Sequence, residues 1–135
     1  MNPIVLNVLA IIGGLVIGSM VNMGIITIGG ELIPLPAGTD VSTTEGLANA
    51  MQQFELKHFV SPFLAHALGT LVGAMFAAKV AASRQFLMAM IIGVAFLAGG
   101  TVMVLSVPSP LWFNALDLIV AYIPMAFLGH KLMLK

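Results

Sequence analysis

Long apolar runs alternate with shorter polar segments along this chain, and four of the runs reach the length of a membrane-spanning helix. An α-helix rises about 1.5 Å per residue, so the roughly 30 Å hydrocarbon core of a bilayer requires about 20 apolar residues. The pattern predicts spans at residues 3–28, 59–82, 86–107 and 111–129. We therefore expect an all-α membrane protein, a four-transmembrane-helix bundle that forms a single integral membrane domain over residues 1–135.

The connections between the runs predict which spans are neighbours. Residues 83–85 join the second span to the third, and a Pro108-Ser109-Pro110 turn joins the third to the fourth. Connections this short place consecutive helices side by side, so both pairs are expected to be antiparallel hairpins. The first connection, residues 29–58, is much longer.

The middle of this long connection predicts a short amphipathic helix. The sequence Ser42-Thr43-Thr44-Glu45 fits a helix capping box, and Leu47, Met51 and Phe54 follow at helical spacing. That spacing gives the helix one apolar face. Two interpretations stay open at this point, a connector that lies on the membrane surface and a lid over a site.

The charged residues predict how the spans are oriented. One side of the four-span arrangement holds the N-terminal amine and four basic residues, Lys79, Arg84, Lys131 and Lys135. The long connection holds the acidic residues Glu31, Asp40, Glu45 and Glu55 and a single basic residue, Lys57. Because basic residues accumulate on the cytoplasmic side, both termini are expected in the cytoplasm and the long connection is expected to be extracytoplasmic. The short loops and the absence of a basic leader favour a bacterial inner membrane.

Composition narrows the classes of partner and chemistry. The chain is 60% hydrophobic and only 7% charged, so the lipid bilayer is the expected surroundings of most of its surface. A net charge of zero without a basic patch argues against nucleic acid as a partner. The absence of cysteine excludes disulfides, thiolate catalysis and thiolate metal ligands. No cofactor is predicted.

Two stripes of small residues predict close helix packing. Gly14 and Gly18 lie four residues apart in the first span, and Gly69 and Gly73 do so in the second. In an antiparallel pair, Gly18 is expected beside Gly69 and Gly14 beside Gly73, with alanines extending both stripes. The pattern does not distinguish contact within one chain from contact between chains. A homo-oligomer or packing against partner membrane helices is therefore also expected.

Polar side chains recur at one depth in all four spans. Counting from the predicted outer ends at about 1.5 Å per residue, four of them lie about 9 to 10 Å deep. They are Asn22, His66, Thr101 and Asp117, and Asn114 shares the face of Asp117. We expect these side chains to form a buried polar layer.

Asp117 is the costliest member of this layer to place in a membrane. A carboxylate at the centre of a spanning helix is unfavourable by about 2.5 to 3.5 kcal/mol on insertion scales, so it is expected to face other helices and to have a partner. His66 is the natural partner, which makes the two residues a candidate proton-handling pair. The alternative is that the layer serves only as hydrogen-bonding contact between helices.

Three functions fit these features. The first is binding or transport of a small molecule or ion through the polar layer, with a possible link to proton movement. The second is a structural or accessory subunit of a larger membrane complex. The third is an intramembrane enzyme that uses His66 and Asp117 as acid and base, although Ser19 and Ser61 lack the Gly-x-Ser-x-Gly context of a nucleophile. No metal site is predicted, and Glu31 and His58 are only weak candidates as ligands.

Overall fold

Helices account for almost the whole architecture of this chain. The computed structural model describes residues 1–134, is 79% helical, and contains no strand within those residues. Its elements are α1 (Pro3–Leu32), α2 (Thr44–Met51), a short 3-10 helix (Leu56–Phe59), α3 (Val60–Val80), α4 (Gln85–Ser106), α5 (Leu111–Val120) and α6 (Ile123–Met133). Four stretches are long and apolar enough to span a membrane, namely Pro3–Leu32, Leu56–Val80, Gln85–Ser106 and Leu111–Met133. The predicted all-helical class and the four apolar helices are confirmed.

The helix ends differ from the predicted spans in two informative places. α1 continues past residue 28 to Leu32 and ends just before Pro34, which disfavours helical backbone at Ile33. The connection is therefore residues 33–55. The fourth apolar stretch is interrupted at Ala121 and Tyr122, because Pro124 lacks the N–H that would continue the helix from Val120.

α3 lies at the centre of the arrangement and packs against α1, α4 and α6. Its contact with α1 is the closest, because the glycines leave no side chains between the two backbones. A Cβ atom added to Gly18 would lie 2.6 Å from the carbonyl oxygen of Gly69, and one added to Gly73 would lie 2.6 Å from that of Gly14. The small-residue stripes therefore meet within one chain, in the register that their spacing predicts.

The other contacts of α3 and α4 also use small residues. A Cβ atom on Gly129 of α6 would lie 2.8 Å from the carbonyl oxygen of Leu71, and Gly93 of α4 faces Ala126 of α6. α4 reaches α1 through Ile92 and Phe96, which lie against Gly14 and Gly18.

A side chain of α1 fixes the turn between α3 and α4. Oδ1 of Asn7 accepts hydrogen bonds from the backbone N–H groups of Ala82 and Ser83, at 2.9 and 3.3 Å, and its Nδ2 donates to Oγ of Ser83 at 3.1 Å. Arg84 follows in the left-handed conformation, with φ of 51°, and the chain then enters α4. We call this side of the protein the terminal end, and the side that carries residues 33–55 the loop end.

α2 and the residues around it cover the loop end. The N-cap of α2 is Thr43, whose Oγ1 accepts from the N–H of Gly46 at 3.0 Å, so the cap lies one residue later than the predicted capping box. Hydrogen bonds from the side chain and backbone N–H of Ser42 hold the pKa of Asp40 below its ordinary value. These bonds fix the chain just before α2 begins.

Aromatic rings connect this cover to the helices below it. The ring of Phe59 lies 4.8 Å from that of Phe113 and 5.6 Å from that of Phe54, measured between centroids. Phe54 in turn lies 5.3 Å from His58. Pairs at these distances add about 0.5–1.5 kcal/mol each beyond the burial of their area, so aromatic packing holds the segment from Phe54 to Phe59 against α5.

The contact between α1 and α3 predicts different outcomes for two glycines of α1. Gly18→Ala places a methyl group against the Gly69 carbonyl and is expected to lower the free energy of unfolding by about 1–3 kcal/mol. Gly24 has no atom within 4 Å of an added Cβ, so Gly24→Ala is expected to leave stability unchanged or slightly raised. Unfolding in mixed micelles, followed by fluorescence of the single tryptophan, Trp112, measures both. Equal stability of the two variants would contradict this packing.

Candidate functional site

Asp117 accepts hydrogen bonds from two side chains in the interior of the protein. Its Oδ1 and Oδ2 lie 2.8 and 3.0 Å from Nδ1 of His66, and Oη of Tyr122 donates to Oδ2 at 2.9 Å. Asp117 is 3% exposed and Tyr122 is 2% exposed. The rings of His66 and Tyr122 stack with their centroids 5.7 Å apart. The structure thus brings the two predicted ionisable residues together and adds a tyrosine to them.

The interruption between α5 and α6 explains how Tyr122 reaches Asp117. Residues five apart on a continuous helix point about 140° away from each other, because each residue turns the chain by about 100°. Asp117 and Tyr122 have this separation, yet their side chains are hydrogen-bonded. The break at Ala121 and Tyr122, caused by Pro124, rotates the tyrosine back toward the carboxylate.

Hydrogen-bonding capacity determines what this group can do. An ionised carboxylate only accepts hydrogen bonds, so Nδ1 of His66 carries the proton that lies between them. Nε2 of His66 makes no hydrogen bond with another residue in the described range 1–134. It can accept a hydrogen bond or a proton from a bound molecule, and the carboxylate then stabilises the imidazolium that forms.

A cavity of about 300 Å³, which we call the loop-end cavity, extends from this group to α2. α1 contributes Ile26 and Gly30 to one wall, and α4 contributes Met103 and Val104 to the other. The apolar face of α2 and the residues after it form the roof, through Leu47, Met51 and Phe54. Its polar lining residues are His66 and Asp117 at the deep end and, elsewhere, His58, Ser61 and Ser109. Most of the lining is apolar.

A second cavity of about 240 Å³, the inner cavity, lies beside the first. The two share His66, Gly100 and Met103, and the inner cavity is also lined by Asn22, Thr70 and Gly99. Both cavities are partly open rather than sealed. His66 therefore lies between two spaces that a small molecule can enter.

Not every residue of the predicted polar layer lies at this site. Thr101 is exposed, and its Oγ1 donates to the carbonyl of Leu97 in its own helix at 2.8 Å. Asn114 bonds to Ser109, with Oδ1 accepting from the serine hydroxyl and Nδ2 donating to the serine carbonyl at 3.4 Å, so it braces the turn before α5. Asn22 does line the inner cavity.

The weak metal candidates are not grouped as ligands, although His58 also lines the loop-end cavity. Nδ1 of His58 accepts from the N–H of Glu55 at 2.8 Å, which leaves Nε2 to donate to the carbonyl of Pro34 at 3.3 Å. These bonds connect the two ends of the long connection. Glu31 is exposed, and within residues 1–134 no three histidine or acidic side chains are grouped as metal ligands would be.

Two site residues were missed or only partly anticipated by sequence reasoning. Tyr122 is the single tyrosine of the chain, and Pro124 two residues later is the signal that the helix is broken there. Thr70 is 1% exposed and lines the inner cavity four residues after His66. Its position on the same face as His66 is the signal that could have identified it.

Comparison of this chain with models of known protein families, with curated proteins and with solved structures finds no match. Its function has to be argued from the site itself.

Adjacent glycines of α4 predict opposite effects on the tyrosine. A Cβ atom on Gly100 would collide with Oη of Tyr122 and lie 2.7 Å from its Cζ, whereas one on Gly99 would meet nothing within 4 Å. Gly100→Ala is expected to break the hydrogen bond between Tyr122 and Asp117, and Gly99→Ala is expected to preserve it. Ultraviolet resonance Raman spectroscopy of the single tyrosine reports the state of its hydroxyl directly. An unchanged tyrosine spectrum in Gly100→Ala would contradict the assigned geometry.

Proposed function

We propose that this protein is a small integral membrane protein that binds an amphipathic small molecule in the loop-end cavity and forms a hydrogen bond with it at His66. The observation that carries this proposal is the position of His66 and Asp117, held together with Tyr122, at the deep end of a largely apolar cavity. Ligand sites commonly have about 300–1,000 Å³ of largely apolar space with a few converging polar groups. The loop-end cavity lies at the lower end of that range.

The lining favours a molecule with an apolar body over a bare ion. An ion needs several oxygen or nitrogen ligands to replace its water, and the acidic oxygens available here are already bonded to His66 and Tyr122. An apolar chain or ring fits between Ile26 of α1 and Val104 of α4 without any such requirement. A hydroxyl or amine on its end can donate to Nε2 of His66.

The proposal includes a four-helix arrangement in the membrane with both termini in the cytoplasm, as the distribution of basic residues predicts. α2 then covers the cavity on the opposite, extracytoplasmic side. α4 contacts α1 at Ile92 and Phe96, toward the terminal end, and the two helices form separate walls of the cavity toward the loop end. This geometry supports entry from the membrane between α1 and α4.

The small-residue stripes no longer support a homo-oligomer. Gly14, Gly18, Gly69 and Gly73 are occupied by the contact between α1 and α3 of one chain. A structural role in a larger complex would need another surface. The proposed function accordingly rests on the cavity and not on assembly.

Filling the loop-end cavity tests the proposal. The probe is a long-chain alcohol that carries a photoreactive diazirine, added to the full chain in lipid nanodiscs. We expect labelled peptides from the cavity walls, and we expect Gly30→Leu to raise the half-saturating probe concentration by roughly tenfold, which equals about 1.4 kcal/mol. Gly30 lines this cavity and has open space around an added Cβ, so the backbone is not disturbed.

Gly24→Leu is the matched control, because Gly24 lies on the same helix with equally open surroundings and is not among the residues that line the loop-end cavity. It is expected to label as the unaltered protein does. Labelling spread evenly over lipid-facing helix surfaces, with no effect of Gly30→Leu, would refute the binding function.

The carboxylate provides a second test. Asp117→Asn removes the carboxylate that orients His66 through a hydrogen bond, and hydrogen bonds to charged groups are worth about 1.5–3 kcal/mol. Labelling by the alcohol probe is therefore expected to weaken by about 10- to 100-fold at unchanged yield of folded protein. Glu31→Gln, which neutralises an exposed carboxylate of α1, should have no effect. A folded Asp117→Asn protein with full labelling would exclude a role for the pair in binding.

A further inference from the structure

The inner cavity contains polar groups that the fold leaves without partners. Thr70 is 1% exposed, and its Oγ1 has no hydrogen bond with any residue in the described range 1–134. The side chain of Asn22, across the cavity on α1, likewise makes no hydrogen bond to residues 1–134, and it lies beside Gly69. A buried hydroxyl without a partner is costly, so this space is unusual within the protein.

Hydroxyl groups in α1 and α4 show that the Thr70 hydroxyl could instead bond to a carbonyl of its own helix. Thr27, Thr101 and Ser106 each donate to the carbonyl four residues earlier, at 2.7 to 2.9 Å. A helical threonine has two accessible rotamers, one of which makes this bond. The three exposed residues use it, whereas Thr70, beside the cavity, does not.

We infer that the inner cavity is a second subsite, which binds the neutral polar end of the ligand through Thr70, Asn22 and His66. This inference rests on the proposed function and specifies the class of ligand. The apolar body lies in the loop-end cavity, and the polar end passes His66 and Gly100 into the inner cavity. A hydroxyl has one proton to donate, whereas Nε2 of His66 and Oδ1 of Asn22 are both acceptors, so a single hydroxyl on the ligand cannot satisfy both.

The ligand therefore carries at least two hydrogen-bonding groups on its polar end, such as hydroxyl or amide groups. Besides Tyr122, whose hydroxyl already donates to Asp117, the subsite offers the Thr70 hydroxyl, one amide and one imidazole, which together donate and accept. Asp117, the only acidic residue among those that line either cavity, borders the loop-end cavity and not the inner one, so a charged end group would have no direct counter-ion in the subsite. A neutral diol or amide satisfies the groups that the fold leaves open.

Paired photoreactive probes test the subsite. Both have the same diazirine-bearing chain, and one ends in a single alcohol whereas the other ends in a 1,2-diol. On the full chain in nanodiscs, the diol is expected to half-saturate labelling at a concentration about three- to tenfold lower, the effect of one additional hydrogen bond. Thr70→Val and Asn22→Leu are each expected to abolish this advantage, so that the diol labels no better than the alcohol.

Thr101→Val is the matched control, because Thr101 is a helical threonine whose hydroxyl bonds within its own helix. This variant should still be half-labelled at a lower concentration of the diol than of the alcohol. Gly99→Leu, which extends a side chain from an open Cβ position on the wall of the inner cavity, should remove it.

Thermal stability without any probe gives an independent readout. If the Thr70 hydroxyl lacks a partner in the empty protein, Thr70→Val leaves the unfolding midpoint unchanged or raises it. A lower midpoint for Thr70→Val than for Thr101→Val would show that the hydroxyl bonds another helix, and it would overturn the subsite.

Equal labelling by alcohol and diol, confined to the cavities, would also overturn the subsite and leave the proposed function standing. Absence of cavity labelling by either probe would instead refute the proposed function. Loss of the diol advantage in Thr70→Val at an unchanged midpoint would support both.

Discussion

The direct backbone contact between α1 and α3 is the constraint on which the site depends. Gly14 and Gly18 meet Gly73 and Gly69 with no side chains between them, so this face of α3 is fully occupied. Each residue turns a helix by about 100°, and the orientation of Gly69 about the helix axis therefore also sets that of His66. The histidine consequently lies where Asp117 can reach it, and α4 and α6 pack on the remaining sides.

The second constraint comes from the proline in the fourth apolar stretch. By interrupting the helix at Tyr122, Pro124 places a phenolic hydroxyl on the carboxylate that α5 carries. Asp117 then has donors from α3 and from the junction of α5 and α6, so its buried oxygens have hydrogen-bond partners. The same bonds hold His66 in one orientation and keep its second nitrogen available. The break between α5 and α6 thereby helps to determine which nitrogen of His66, on α3, is available to a ligand.

Sequence reasoning reached the features that depend on spacing alone. The four-residue repeat of glycines predicted the register of α1 on α3, and depth counting placed His66 level with Asp117. It missed features that depend on the direction in which a side chain leaves its helix, or on a hydrogen-bond partner that lies nearer along the chain. Thr101 has the right depth but an exposed direction, and Asn114 finds a nearer partner in Ser109. The bond between Tyr122 and Asp117 requires the helix break, and the free hydroxyl of Thr70 depends on a rotamer choice that no sequence pattern encodes.

Gly99 has a consequence for how a ligand of the proposed kind would reach the inner cavity. It borders the inner cavity, is exposed, and has no neighbouring atom beside the position of a side chain, so the wall there is incomplete. In a bilayer, acyl chains would complete that wall. Occupancy would then follow the mole fraction of the ligand among the lipids more closely than its concentration in water. A molecule that partitions strongly into the membrane could fill the site even if its contacts with the protein were modest.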